Sequence, residues 1–281
     1  MSKLIVIDLS NYIYRAFHAI TPLNAPDGTP VNAVYGVMGM VHNLLMKYQP
    51  THVLIARDSP SLGSVRKELY PEYKANRSAM PDNLSPQFPL VEEMMNALEM
   101  VQVRVSQYEA DDVIGSVATQ WKDQFDEILI ATGDKDLLQF VNGNVKVVDT
   151  LKNIMYGREE VKAKMGVYPE QIVDYLSLIG DNSDNIPGVA GIGPKGAIAL
   201  IEEYGSVEGI LGSIDSIKSK RIKACMEKCG NSATLSKNLV TIRVALDLGM
   251  SPYDCLYKIH STPELQAFYD KLGFQSWKGR F

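Results

Sequence analysis

The sequence predicts an α/β fold, a mostly parallel twisted sheet flanked by helices, with a helical region after it. Three observations lead there. Short apolar runs rich in β-branched residues recur at Lys3–Asp8, 52–58, 127–134 and Val145–Asp149. Their apolar stretches are continuous rather than alternating, the pattern of strands buried on both faces. Segments of helical periodicity separate them, and each run stops at an aspartate. In open parallel sheets ligands sit beyond the carboxyl ends of the strands, so these aspartates are candidates for chemistry as well as for helix capping.

Taken in order, Lys3–Asp8 ends at Asp8. Residues 31–48 place Val34, Val37, Met38, Val41, Leu44 and Leu45 on one side of a helix. The run 52–58 ends at Asp58. Residues 63–89 have little apolar periodicity, and Arg66, Lys67, Lys74 and Arg77 interleave there with Tyr70 and Tyr73. Cations for phosphates and aromatics for bases suit a single-strand binding element, and the alternative is a solvated surface loop. Its place beside Asp58 favours the first, and its few apolar residues predict mobility without a ligand. Residues 90–100 read as a helix and 101–105 as a strand. In YEADDVIGSVATQW, Glu109, Asp111 and Asp112 open a helix that buries Val113, Val117 and Trp121. Three acids in one turn exceed what a helix dipole needs and repel one another without a cation. Asp134 and Asp136 repeat the pairing in TGDKD, whereas Asp149 stands alone and reads as capping or solvated.

Residues 161–179 give two helices, the second starting at Pro169. Residues 180–196 read GDNSDNIPGVAGIGPKG. One helical turn puts Asp181 and Asp184 on the same side. Gly188, Gly191 and Gly193 let the backbone approach a ligand closely before a helix starting near Pro194, and Lys195 adds a cation. Further helices are expected at 197–204, 207–211, 238–246 and 264–272, and 217–223 is a second basic run.

Composition narrows the function. At 281 residues the chain can bury a full core, and no run reaches membrane-span length. The N-terminal apolar run is too short for a signal peptide. Three cysteines, an odd number, do not make a disulfide framework, so the expected setting is reducing and cytoplasmic. Neither the scattered histidines nor Cys225 and Cys229 make a zinc site. The net charge of −5 turns mildly positive without the nine acids Asp8, Asp58, Glu109, Asp111, Asp112, Asp134, Asp136, Asp181 and Asp184. Hard oxygen donors select Mg²⁺ or Mn²⁺. Two such ions can activate a water and clamp a phosphoryl centre, with Lys74 as electrophile on the scissile phosphate.

The motifs YRAFHA (14–19), YPEYKANR (70–77), EADD (109–112), TGDKDLLQ (132–139) and the glycine segment closely resemble the 5′-nuclease family, the flap endonucleases and 5′–3′ exonucleases, and most of all the N-terminal domain of bacterial DNA polymerase I. Matching blocks run from Ile5 to about Trp277. No polymerase sequence follows, so a free-standing nuclease is expected. The resemblance implies a PIN-like core over 1–165 with a helical arch at about 63–90. It implies a helical DNA-binding region over 166–281, with a helix-three-turn-helix at about 170–212. It further implies a monomeric, metal-dependent hydrolase that cuts DNA at 5′ flaps or 5′ single-stranded ends to leave 5′-phosphates. By motif, the nine acids become ligands of two or more metal ions. Lys74, Arg77, Tyr73 and Arg15 become catalytic, and Arg66, Tyr70, Gly188, Gly191, Gly193 and Lys195 contact DNA. The carbonyls of Ile186, Val189 and Ile192 become a K⁺ site. Arg57 and Val65 stand where the family usually has an apolar and an aromatic residue. The alternatives are a PIN-type ribonuclease, which needs neither hairpin nor arch, and a catalytically silent DNA-junction binder, against which the nine retained acids argue.

Overall fold

Steric demands of β-branched side chains and burial on both faces produce one sheet of six strands. The computed structural model describes residues 2–59 and 64–281. Strand β1 (Lys3–Asp8) is central, with β2 (His52–Ala56) and then β3 (Val101–Val103) on one side. On the other lie β4 (Glu127–Ala131), β5 (Val145–Asp149) and β6 (Ile154–Tyr156). The first five run parallel and β6 pairs antiparallel with β5. Chain order reverses between β1 and β4, which makes that crevice the topological switch point. Ile7 stands opposite both Ile55 and Ala131, so the loops after β1, β2 and β4 open at one edge.

Successive residues feed two cores. Leu4, Val6, Leu54, Ile128 and Ile130 face one, shared with helices Ala110–Gln120, Ile172–Ile179, Pro194–Tyr204 and Lys220–Val240. Ile5, Ile7, Val53, Ile55 and Leu129 face the other, shared with Leu9–Ala19, Asn32–Tyr48, Gln87–Ala97 and Pro263–Leu272. Burying each such side chain contributes roughly 1.5–3 kcal/mol, which explains why the strands tolerate no polar face.

Several expectations change. The helix expected at 90–100 is Gln87–Ala97, because Pro89 fits in a first helical turn. Among the described residues of the expected arch, Val65–Leu69 is helical and turns follow until helix Gln87–Ala97 begins; the arch's expected start at Gly63 lies outside the described residues. Residues 70–77 meet the hairpin: Asn185 Nδ2 donates to the Glu72 carbonyl (2.7 Å) and Asn76 Nδ2 to that of Asn182 (2.6 Å).

The helix expected over 238–246 instead ends at Val240, having begun at Lys220 inside the basic run. Side chains of helix Ala110–Gln120 then satisfy the extended backbone. Arg243 N donates to Asp112 (2.9 Å), Leu246 N to Ser116 Oγ (3.2 Å), and Gln120 donates to the Leu246 carbonyl (3.0 Å). Helix Pro263–Leu272 does not stay with the region expected over 166–281. It returns to the second core, where Thr262 Oγ1 donates to the Ala97 carbonyl (2.7 Å). Among the described residues no helix is long and apolar enough to cross a membrane.

Candidate active site

Hydrogen bonds from backbone amides and one hydroxyl aim the strand-end acids. Asp8 Oδ1 accepts from Asn11 N (3.1 Å), capping helix Leu9–Ala19, while its Oδ2 accepts from the Thr132 hydroxyl (2.8 Å) beyond β4. Asp58 Oδ1 accepts from Ala110 N (2.9 Å), the first amide of helix Ala110–Gln120. Asp134 Oδ1 accepts from Asp136 N (2.9 Å). Asp8 is thus both cap and site acid. With Asp111, these carboxylates line one cavity of about 400 Å³, together with Lys74, Arg77, Tyr14, Met80 and Phe88. Lys74, Arg77, Tyr14 and Asp58 also line an adjoining cavity of about 320 Å³, with Glu109 and Lys67.

The acids strain against one another. Burial, then Asp58, pushes Asp8 up to about 7. Burial, then Asp134 and Asp8, holds Asp111 well above the usual carboxylate range. Burial and Asp134 push Asp136 up to about 7, and its buried Oδ1 has no hydrogen-bond partner among the described residues. Desolvated, mutually repelling oxygens of this kind suit a hard divalent cation. Among the described residues no three His, Cys, Asp or Glu side chains form a ready-made metal cage; the acids line a cavity instead.

Around the same cavity, cations already hold the remaining acids. Lys74 Nζ lies 2.8 Å from Glu109 Oε1 and 3.6 Å from Asp184 Oδ2, and Arg77 lies 2.5 Å from Asp184 Oδ1. The Tyr73 hydroxyl donates toward Glu109 and Asp184, each at 3.1 Å. Lys74 takes a left-handed φ of 58°, and its N–H donates to the Asp184 carbonyl at 2.9 Å. Burial works against its charge, but Glu109 and Asp184 outweigh it and raise the Lys74 pKa. Lys135, absent from the expected site, pairs with Asp181. Its signal was its place between two acids in TGDKD.

Five residues have other partners than expected. Arg66 is 6% exposed and grips Asp112 in a fork, NH1 to Oδ2 at 2.7 Å and NH2 to Oδ1 at 2.8 Å. Its Nε donates to the Leu239 carbonyl (2.9 Å). Arg66 is therefore no exposed DNA contact, and Asp112, fully buried, is no free metal ligand. Arg15 turns from the cavity to Asp149, 2.6 Å away, so Asp149 is buried and paired rather than solvated. A Cβ on Gly133 would meet the Arg15 guanidinium at 2.2 Å, so a larger residue there would push the arginine aside. Tyr70 packs, half-buried, on the first core. Tyr14 and Phe88, edge to face at 6.1 Å, stand at the cavity in its place. Of the departures from the family pattern, Arg57 pairs with Glu92 beside the sheet.

The glycine segment is a tight hairpin. A Cβ on Gly188 (φ 61°) would meet Gly180 N at 2.3 Å, and Gly188 N donates to Ser236 Oγ (3.0 Å) on helix Lys220–Val240. Gly191 (φ 87°) lies against Cys225, and its carbonyl accepts from Arg221 NH1 at 3.0 Å. Gly193 precedes helix Pro194–Tyr204 with open space around it, and Lys195 is exposed. The side chains of Ile186, Val189 and Ile192 are buried; the Ile186 and Val189 carbonyls accept from Asp181 N (2.9 Å) and Ile192 N (3.0 Å).

Comparisons with known proteins agree with this arrangement. Residues 3–166 match the family described as 5′-3′ exonuclease, N-terminal resolvase-like domain, and 167–262 match 5′-3′ exonuclease, C-terminal SAM fold. A 5′-3′ exonuclease of Aquifex aeolicus is 36% identical over 97% of this chain and 91% of its own length. DNA polymerase I of Bacillus caldotenax is 40% identical over 98% of this chain, which spans only 32% of that relative. In fold, the chain resembles the T5 5′-exonuclease with bound divalent metal ions (TM-score 0.71, 22% identity, covering 85% of this chain and 89% of that one). It also resembles the catalytic core of Rad2 in complex with DNA substrate (TM-score 0.61, 16% identity, covering 97% and 88%).

Proposed function

The chain belongs to the 5′-3′ exonuclease family, and on that premise we propose that it hydrolyses DNA phosphodiesters at 5′ flaps and 5′ single-stranded ends, in DNA replication and repair, leaving 5′-phosphates. One observation above all supports this: Asp8, Asp58, Asp111 and Asp134 share a cavity with Lys74 and Arg77. Acids alone would repel a phosphodiester; acids facing two cations offer it a seat. The reading includes Mg²⁺ or Mn²⁺ as cofactor in a two-metal reaction, K⁺ at the hairpin, a monomer and a cytoplasmic setting.

Asp8, Asp58, Asp111 and Asp134, with Asp136, Asp181 and Asp184, would hold the divalent ions, which would supply a polarised water and offset charge on the leaving oxygen. The chain's own residues do the rest. Lys74, kept protonated by Glu109 and Asp184, is placed to donate to a non-bridging phosphate oxygen. Arg77, whose side chain is 55% exposed, can exchange Asp184 for a phosphate and bind it bidentately. Tyr14 and Phe88 offer rings to a base beside the scissile bond. The amides opening helix Pro194–Tyr204, with Lys195 and Arg221, grip the phosphates of one duplex strand without reading sequence.

Product mapping on a 5′-labelled flap duplex under Mg²⁺ titration tests the proposal. Short 5′-phosphate products cut near the junction, abolished by EDTA, are expected. Faster cleavage of single-stranded RNA would favour a PIN-type ribonuclease, and binding without cleavage a silent junction binder.

A further inference from the structure

We propose that Lys135 is a tethered cation of the second acid group, keeping the divalent-ion affinity of Asp136, Asp181 and Asp184 low in the free protein so that ions load in order, first at Asp8, Asp58, Asp111 and Asp134. This rests on the preceding metal-dependent reading. The Lys135 ammonium contacts Asp181 Oδ2 and lies 3.6 Å from Asp136 Oδ1. That oxygen is buried, belongs to a residue 9% exposed, and has no hydrogen-bond partner among the described residues. Among the described residues the ammonium is the only cation near it, as it is for Asp181 Oδ2.

The rest of the group is already engaged. Asp181 Oδ1 accepts from Ser183 N (2.8 Å) and Ser183 Oγ (2.6 Å), and Asp184 is held by Arg77 and Tyr73. A dication entering there must displace an ammonium or sit beside it, and two like charges a few ångströms apart repel strongly where water is scarce. Arg77 and Lys74 belong to the arch, and a bound strand can draw them off. Lys135 cannot follow them. Its loop is pinned by Asp136 N on Asp134 Oδ1 (2.9 Å) and Leu138 N on the Lys135 carbonyl (3.1 Å). Because its side chain is 35% exposed, it can swing into solvent, so it weakens the second ion rather than forbidding it.

The test is Mn²⁺ titration of the full chain, reading free Mn²⁺ by electron paramagnetic resonance, for the unchanged protein, Lys135→Met and Lys135→Arg. Far-UV melting confirms that each variant folds. The unchanged protein and Lys135→Arg should bind one ion tightly and a second at least about tenfold more weakly. Lys135→Met should tighten the second site by about tenfold or more and leave the first unchanged. Two equal sites in the unchanged protein, or a second constant within about twofold in folded Lys135→Met, overturns the inference alone. Absence of any tight Mn²⁺ site in the unchanged protein overturns the metal-dependent reading with it.

Discussion

Asp8, Asp58, Asp111 and Asp134 carry the same side chain as Asp136, Asp181 and Asp184 but keep different company. Around the first four stand amides, the Thr132 hydroxyl and one another; among the described residues none has an ion-pair partner. The other three and Glu109 are paired with Lys74, Arg77 and Lys135. Burial raises the cost of charge in both places, and in the second the chain's own cations offset part of it, incompletely at Asp136. An acid cluster is therefore not uniform in what it asks of a metal. Its demand is set by the cations the fold has already brought to it.

The sharpest way to break the contrast is to remove an acid from the unpaired group. Asp134→Ala, or Lys74→Ala across the cavity, should lower kcat on a flapped duplex by about 10³-fold or more while the dissociation constant for DNA changes little. Asp181→Asn, on the paired side, should cost visibly less in single-turnover assays. Next comes stability. Arg66→Met leaves the fully buried Asp112 without its partner and should destabilise by about 3–5 kcal/mol, read by urea unfolding. Arg66→Met with Asp112→Leu should recover most of it, and the salt dependence of DNA binding should not move.

Acidity sharpens the comparison further. With its folded-state pKa at about 7, Asp8 keeps a proton that the unfolded chain gives up near the ordinary 3.8. The folded state then binds more protons in that window, so stability falls as pH rises through it, by about 4 kcal/mol at most. In EDTA the Tm should drop from pH 5 to pH 8, Asp8→Asn should make the profile shallower while Asp111 and Asp136 keep part of the slope, and Mg²⁺ should restore the loss. Asp181 has the opposite sign. Burial would raise its pKa, but Lys135 and Ser183 hold it below the usual range, so its contribution is lost as pH falls below that range. The smallest effect belongs to Lys195→Ala at the hairpin: a few-fold weaker duplex binding, a salt slope reduced by about one, and unchanged turnover at saturation.

Much of this was legible in the sequence. Strands buried on both faces have no polar alternation to hide in, and aspartates just past them can only sit at the open edge of the sheet. What was hidden is pairing at long range. Nothing local says that Arg66 will find Asp112, or that Arg15 will turn to Asp149, 134 residues away. An arginine in a basic, tyrosine-rich stretch reads as a phosphate contact until the fold supplies a buried carboxylate. The helix expected over 238–246 fails for a related reason: residues after Val240 find their hydrogen bonds on helix Ala110–Gln120, which no periodicity announces.

The returning helix Pro263–Leu272 has a practical corollary. It lies just past residue 262, where the family match stops, yet it shields the flank opposite the hairpin with Leu265, Phe268, Tyr269 and, beyond it, Trp277. A gene trimmed at residue 262 would strip that shield and lay bare an oily flank of helices Asn32–Tyr48 and Gln87–Ala97. Anyone grafting this nuclease onto another enzyme should keep the tail, or expect inclusion bodies.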